Sequence, residues 1–160
     1  DYIIKTHHVF TKKNAIIIYN LTQKVAYRHS HEHNELKRFN EVAFVFFQDL
    51  LNQMLNEEED IFPLIRQAAK DMEHHSITGN NASRFLKKKI KLQQLKHEQS
   101  FNYLKDFREL TKDYEIPSDA CHYYKSLFKK MKELEHDLKL HFHLEDDILF
   151  YNAMAADNES

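Results

Sequence analysis

The sequence predicts an all-α protein, an antiparallel four-helix bundle with up-down-up-down topology. Residues that break helices are rare, because the 160 residues include one Gly and two Pro, against average usages of roughly 7% and 5%. Apolar residues recur with the helical period over long stretches. The breaks between these stretches are short, and short connections make sequence neighbours antiparallel. We therefore expect one domain over residues 1–160.

The breaks predict four helices, at about residues 2–29, 34–74, 82–113 and 118–153. The first helix ends at the polar segment 29–33, and the second ends before 76–81, which holds the single glycine. The third helix ends near 114–118, which contains Pro117. Pro63 lies inside the second helix and is expected to kink it or end it early.

Charge and composition exclude several classes of partner. Lys and Arg number 23 against 25 Asp and Glu, a formal net charge of −2, so no electrostatic footprint for nucleic acid or an anionic membrane is present. The longest apolar runs, 15–19 and 42–47, are far shorter than the roughly 20 residues of a spanning helix. The single cysteine, Cys121, forms neither an internal disulfide nor a CxxC motif. We expect a cytoplasmic protein.

Twelve histidines are the anomaly of the composition, and imidazole is a common ligand of iron, copper and zinc. At 100° per residue, the inward apolar stripe of the second helix is interrupted by Gln53 and Glu57. The stripe of the fourth helix is interrupted at the same spacing by His141 and Glu145. The third helix directs His97 inward.

The first helix directs His8 inward, beside His7. At 1.5 Å per residue, the distance of His8 from the end of the bundle matches the distances of Glu57 and His141. The distance of His97 also matches if the 114–118 connection is extended. All four helices therefore present polar groups to one layer. Buried carboxylates are costly unless paired or bound to metal, so the layer is a candidate dimetal site.

An internal repeat supports this interpretation. The segment Gln53-Met-Leu-Asn-Glu57 matches His141-Phe-His-Leu-Glu145, and an acidic run follows each glutamate. Gln53 therefore occupies the place that His141 has in the second copy. Two readings of Gln53 stay open, a metal ligand or a core amide that bonds a neighbour.

These motifs together resemble the hemerythrin-like, HHE-type cation-binding proteins, and within them the di-iron repair-of-iron-centres proteins. The resemblance covers essentially the whole chain. It is carried in order by Asp1-Tyr-Ile-Ile-Lys-Thr-His-His8, Glu57-Glu-Glu-Asp-Ile-Phe-Pro63, Lys96-His97-Glu98 and His141-Phe-His-Leu-Glu145. It implies a hemerythrin-like bundle that repairs iron-sulfur clusters under oxidative or nitrosative stress.

The resemblance further implies two non-haem iron ions bridged by carboxylates. The implied ligands are His8, Glu57, His97, His141, Glu145 and, where the family has histidine, Gln53. An amide oxygen is a weaker donor to Fe(II) than imidazole. We therefore expect a weaker or missing ion where His8 and the second helix would share one, with Asp49 or His7 as compensating donors.

Three functions remain open from the sequence. The first is a stress-response di-iron protein whose partners are iron-sulfur proteins and small molecules such as O2 or NO. The second is a hemerythrin-like protein that binds or senses O2 or NO. Phe101 argues against oxygen carriage, because it replaces the second histidine that oxygen-carrying hemerythrins have one turn after the ligand at His97. The third is a bundle with a degenerate metal site.

Overall fold

The described residues, 1–73 and 80–155 of a computed structural model, form four long helices and contain no strand. The prediction of an all-α four-helix bundle is confirmed. None of the described helices is long and apolar enough to cross a membrane.

The first two helices each contain a π-helical turn. Helix α1 consists of the π-turn Ile4–His8 and the α-helix Val9–His29. Helix α2 consists of Glu35–Asn56, a π-turn at Glu57–Ile61, and Phe62–Glu73. A π-turn inserts one residue into the helical repeat and rotates the residues that follow.

The third helix is regular and the fourth is again interrupted. Helix α3 runs over Asn80–Thr111. Helix α4 consists of His122–His143, a π-turn at Leu144–Phe150, and Tyr151–Ala155. Each of the three π-turns lies at the same level of the bundle as the polar layer.

Side-chain contacts establish that neighbouring helices are antiparallel. Helices α1 and α4 run in opposite directions, since His7 contacts Asp137 at 2.9 Å while Asn14, later in α1, contacts Lys130, earlier in α4. Helices α3 and α4 run past each other in opposite directions, since His97 contacts Asp146 while Arg108 contacts Glu135. Helix α1 also packs against α2, and α2 packs against α3.

The connection between α3 and α4 is longer than the sequence indicated. Helix α3 ends at Thr111 rather than at 113, because Lys112, Asp113 and Tyr114 have left-handed backbone angles (φ of 51°, 59° and 60°). The hydroxyl of Thr111 accepts the backbone N–H of Tyr114 at 2.9 Å and stabilises this turn.

Helix α4 begins at His122 rather than at 118, because Cys121 before it is extended. A turn between Ala120 and Pro117, closed by a 3.1 Å backbone hydrogen bond, occupies the residues predicted as its first turn.

The connection between α2 and α3 can be compared with the prediction only in part. Helix α3 begins at Asn80, two residues before the predicted start at 82. The predicted end of the second helix at 74, and most of the predicted break at 76–81, lie outside the described residues. Pro63 does not end α2, which continues to Glu73. The π-turn ends two residues before this proline.

Two hydrophobic clusters enclose the polar layer. The larger cluster extends along all four helices from Ala15, Met54, Leu104 and Phe142 towards the opposite end of the bundle. The smaller cluster consists of Ile61, Phe62, Leu86, Ile90 and Phe150. Along α2, α3 and α4 the polar residues lie between these two clusters. The layer is therefore shielded from water on both sides.

The π-turns also alter which residues face inward. Ile148, placed on the inward stripe at 100° per residue, is 46% exposed, whereas Phe150 is fully buried. The π-turn Leu144–Phe150 accounts for this shift, because its wider repeat moves the next inward position further along the chain. On α3, the helical period also places Phe101 on the inward line of His97, yet Phe101 is at the surface, 37% exposed.

Candidate metal centre

Five of the six predicted site residues meet in one buried cluster. His8, Glu57, His97, His141 and Glu145 come from all four helices, and none of them is more than 1% exposed. The π-turns of α1, α2 and α4 hold three of the five residues. The predicted common layer of polar groups is therefore present in the fold.

The tightest group, here called the first position, contains His8, Glu57, His141 and Glu145. One ligand atom from each of these residues lies within 4.8 Å of the other three. The Nε2 atoms of His8 and His141 are 3.1 Å apart. Oε1 of Glu145 lies 3.0 Å from His141 Nε2, and Oε2 of Glu57 lies 3.2 Å from His8 Nε2.

The second oxygen of each glutamate faces His97, and we call this group the second position. Nε2 of His97 lies 3.1 Å from Oε1 of Glu57 and 3.3 Å from Oε2 of Glu145. Each carboxylate thus extends between two groups of imidazole donors. This arrangement is suited to carboxylates that bridge two cations.

Gln53 is the predicted residue whose hydrogen bond goes to a residue outside the cluster. It is buried, and its amide Nε2 donates to Oγ of Ser100 at 3.0 Å. Of the two readings of Gln53, the contacts support the core amide that bonds a neighbour.

The pairing of donors differs from the sequence-based expectation. We expected His8 to share an ion with the second helix and Gln53, and that ion to be the weaker. In the structure His141 of α4 lies beside His8 instead, so the first position has two histidines. The position short of a histidine is the one at His97. The expected pairing of His8 with Gln53 is not the one in the structure, because sequence spacing gives the level of a residue but not which neighbouring helix it faces.

Of the two proposed compensating donors, His7 lies beside the centre, with its Nε2 buried and without a hydrogen bond among the described residues, and Asp49 is engaged elsewhere. Nδ1 of His7 contacts Asp137 at 2.9 Å, and its ring stacks on His141 with centroids 5.5 Å apart. The carboxylate of Asp49 accepts the hydroxyl of Tyr103 at 3.1 Å. His7 therefore packs against the first position, while Asp49 lies outside the cluster.

Two acidic residues that the sequence analysis did not single out orient the histidines. Nδ1 of His8 donates to Glu58 at 2.6 Å, and Glu58 also pairs with Lys12 at 2.7 Å. Nδ1 of His97 donates to Asp146 at 2.9 Å. Carboxylates that bond the outer ring nitrogen fix the orientation of metal-binding histidines. The acidic run after each glutamate was the sequence signal for these residues.

Gln93 is a further residue that the sequence analysis missed. Its amide Nε2 donates to Oε1 of Glu57 at 2.5 Å and lies 3.5 Å from Nε2 of His97. Its position four residues before His97, on the same face of α3, was the available signal.

The contacts within the cluster raise the pKa values of two of its histidines. Burial lowers the pKa of His8, but its contacts with Glu145, Glu57 and Glu58 outweigh burial and raise that pKa to about 10. Burial also opposes the charged form of His97, yet Asp146 and Glu57 raise its pKa to about 9.

The pKa of Glu57 shifts in the opposite direction. Burial raises its pKa, while the contacts with His8 and His97 lower it to about 2. Imidazolium and carboxylate groups thus balance one another inside the bundle. A cation can replace the protons, because metal binding to histidine releases them.

The donor set fits a transition-metal ion. Among the described residues, Oε2 of Glu57, Oε2 of Glu145 and Nδ1 of His141 are buried and lack a hydrogen bond. Buried carboxylate oxygens without donors are rare in proteins. Imidazole and carboxylate together suit iron, zinc and manganese. His8, His141, Glu57 and Glu145 are the residues that would hold the first ion.

Comparisons with curated proteins point in the same direction. The chain is 26% identical over 152 residues to the iron-sulfur cluster repair protein ScdA of Staphylococcus epidermidis, covering 94% of this chain and 63% of that protein. It is 29% identical over 153 residues to the iron-sulfur cluster repair protein DnrN of Neisseria gonorrhoeae, covering 94% and 86%. The chain is a homologue of the iron-sulfur cluster repair proteins.

The homology to repair proteins confirms the resemblance predicted from the four ordered motifs. The repair protein YtfE of Escherichia coli is 24% identical over 157 residues, covering 98% of this chain and 66% of YtfE. The chain thus spans about two thirds of the length of ScdA and YtfE. No family model matches the chain.

Proposed function

We propose that this protein is a non-haem dimetal protein that binds iron and acts in the repair of iron-sulfur clusters during oxidative and nitrosative stress. The observation that carries the proposal is the arrangement of Glu57 and Glu145, each of which directs one oxygen to His8 and the other to His97. The similarity to ScdA, DnrN and YtfE, all named iron-sulfur cluster repair proteins, supports the choice of iron.

The ligand set that we propose is His8, His141 and His97 with the two glutamates, while Gln53 is not a ligand. A bound iron pair would supply one-electron redox chemistry and open coordination positions for small molecules such as O2 or NO. The residues of the chain would orient the donors through Glu58 and Asp146 and keep bulk water out through the two hydrophobic clusters. Iron-sulfur proteins of the cytoplasm would be the partners.

Iron analysis tests the metal part of the proposal. Protein reconstituted with Fe2+ without oxygen should retain at least one iron per chain after desalting. The variant in which Glu57 and Glu145 are both replaced by Gln should retain less than about a tenth of that amount, because only amides would then face the histidines. Equal iron in both proteins would show that the two glutamates do not hold the metal. No iron in either would leave a helical bundle with a degenerate site.

A repair assay tests the function. The iron-loaded protein should restore the activity of a [4Fe–4S] dehydratase that peroxide or NO has inactivated, and the double Gln variant should not. Restoration of activity by both proteins alike would exclude the centre as its source.

Binding of O2 or NO by iron-loaded protein without any repair would instead establish the second function considered above. Absorption spectra with and without each gas decide this point. The exposed ring of Phe101 favours repair over oxygen carriage, because no donor faces the centre from that residue.

A further inference from the structure

We infer that the two positions of the centre are unequal: the first position binds one ion tightly, and the second position, at His97, binds a second ion weakly and exchangeably. This inference rests on the proposed function, since it takes the cluster to be a metal centre. It concerns what distinguishes the two positions in this particular chain.

The number of donors differs between the positions. The first position has four protein ligand atoms, contributed by His8, His141, Glu57 and Glu145. The second has one histidine, His97, and the remaining oxygen of each glutamate. An ion at the second position therefore has fewer protein ligands, and the carboxylates it uses also serve the first.

Gln53 does not make up the shortfall. Both its amide and the hydroxyl of Ser100 are at least 96% buried, and the hydroxyl lies 3.0 Å from Nε2 and 3.4 Å from Oε1 of the amide. Turning the amide oxygen towards an ion would break these contacts in a site that water does not reach. A buried polar group left without its partner is destabilising, so this reorientation opposes ligation by Gln53.

Gln93 competes directly for the second position. The Nε2 atom of Gln93 donates to Oε1 of Glu57 at 2.5 Å, and this oxygen is the one that faces His97. Asn56 donates to the amide oxygen of Gln93 at 3.3 Å and holds the amide in this orientation.

The other oxygen of Glu57, which belongs to the first position, accepts no hydrogen bond from the described residues. The amide of Gln93 thus caps this carboxylate only on the side of the second position, while the oxygen on the side of the first position faces the ligand histidine His8 at 3.2 Å. An ion at the second position must share Oε1 of Glu57 with the amide of Gln93 or displace that amide.

Stepwise metal titration of the metal-free chain tests the inference. Mn2+ is added without oxygen, free Mn2+ is followed by electron paramagnetic resonance, and Fe2+ binding is measured by competition with a chelator. The second dissociation constant should exceed the first at least about tenfold, the smallest effect usual when a partner that supports a metal ligand is lost. The first equivalent of Mn2+ should give the spectrum of an isolated ion, and magnetic coupling should appear only with the second.

Two variants sharpen the test. Gln53→His places an imidazole one helical turn before Glu57, whose Oε1 faces the second position, and Gln93→Met removes the competing amide at similar size. Each should tighten the second dissociation constant about tenfold and leave the first within a factor of about two. Gln94→Met, on the neighbouring residue of α3, is the matched control and should change neither constant.

The outcomes separate the two claims. If the wild-type chain binds two ions with equal affinity, the inequality is wrong while the proposed metal centre stands. If it binds no ion at all, the proposed function itself fails. If Gln53→His does not fold, judged by circular dichroism, Gln93→Met decides alone. A folded Gln93→Met protein with an unchanged second constant overturns the inference.

Discussion

The two helical pairs of the bundle, α1 with α2 and α3 with α4, have the same arrangement of histidine and acidic residues. In each pair the second helix carries a buried glutamate in or beside a π-turn, and the next residue bonds a histidine of the first helix. The equivalent residues are His8, Glu57 and Glu58 in one pair and His97, Glu145 and Asp146 in the other. The structure thus repeats the internal similarity of the sequence.

The pairs differ four residues before the glutamate. His141 directs Nε2 to Glu145 at 3.0 Å and meets His8 across the bundle. Gln53, at the equivalent place, bonds Ser100 instead. A repeated helical framework therefore does not guarantee a symmetric site, since one change of side chain redirects its contacts to a neighbouring helix.

His141→Gln should have the largest effect, because it makes the second pair like the first. Only His8 and the two carboxylates would remain at the first position. We expect a loss of affinity for the first ion of at least about 100-fold, the upper end of what loss of a supporting partner causes. Isothermal titration with Fe2+ measures it. His143→Gln, which changes an exposed histidine on the same helix, should have no effect.

Replacement of the orienting carboxylates should distinguish the pairs. Glu58→Ala should lower the affinity for the first ion about 10- to 100-fold, because Glu58 orients His8. Asp146→Ala should lower the affinity for the second ion by a similar factor, because Asp146 orients His97. Stepwise titration separates the two ions. The exposed neighbours Glu59 and Asp147 are the matched controls as alanine variants. Equal effects of both replacements on both ions would contradict the separation of the pairs.

The pH dependence of stability gives a third comparison. With pKa values of about 10 and 9 in the folded chain against 6.5 otherwise, His8 and His97 stabilise metal-free protein fully below pH 6.5. That contribution is lost as pH rises through 9 to 10. The pKa of Glu57 is lowered from 4.5 to about 2. Glu57 therefore stabilises the folded chain above pH 4.5, and this contribution is lost as pH falls through 2.

Metal-free protein should therefore have its highest free energy of unfolding between pH 4.5 and 6.5, measured by urea denaturation. Ion binding should shift the optimum to higher pH, because ligation requires neutral histidine and releases protons. A His97→Gln variant should show a smaller decline above pH 6.5. An unchanged optimum after loading with iron would contradict ligation by these histidines.

Phe101→His should have the smallest effect. The ring of Phe101 is 37% exposed and contacts Phe142 at its edge, with centroids 5.3 Å apart. A histidine there would face the surface of the bundle rather than the second position. Metal stoichiometry and both dissociation constants should stay within a factor of about two of wild type, and the melting temperature is the control for folding. Tighter binding of the second ion would show that the side chain at residue 101 can turn inward.

Much of the fold followed from local sequence patterns. The scarcity of Gly and Pro, together with the helical period, was enough for four helices, because both act through local backbone geometry. The connection between α3 and α4 was placed less well. Three left-handed residues without a glycine end α3, and their conformation depends on contacts that local propensity does not encode.

The π-turns are the main feature that the sequence did not predict. A fixed rotation of 100° per residue placed Ile148 inward, whereas the π-turn exposes it and buries Phe150. Such a turn gives up the regular i to i−4 hydrogen bond in favour of an i to i−5 bond. The π-turns hold His8, Glu57 and Glu145, whose contacts include side chains of other helices, so the sequence of one helix does not reveal such a turn.

The sequence by itself determined which polar residues interrupt the apolar stripes and the layer in which they meet. His8, Glu57, His97, His141 and Glu145 were identified because polar groups on an apolar helical face need partners when buried. Only the tertiary structure decided which groups face one another. It brought His141 to His8, Gln53 to Ser100 and Gln93 to Glu57. Helical periodicity describes each helix about its own axis, and the contacts across the bundle depend on how the four axes rotate and pack together.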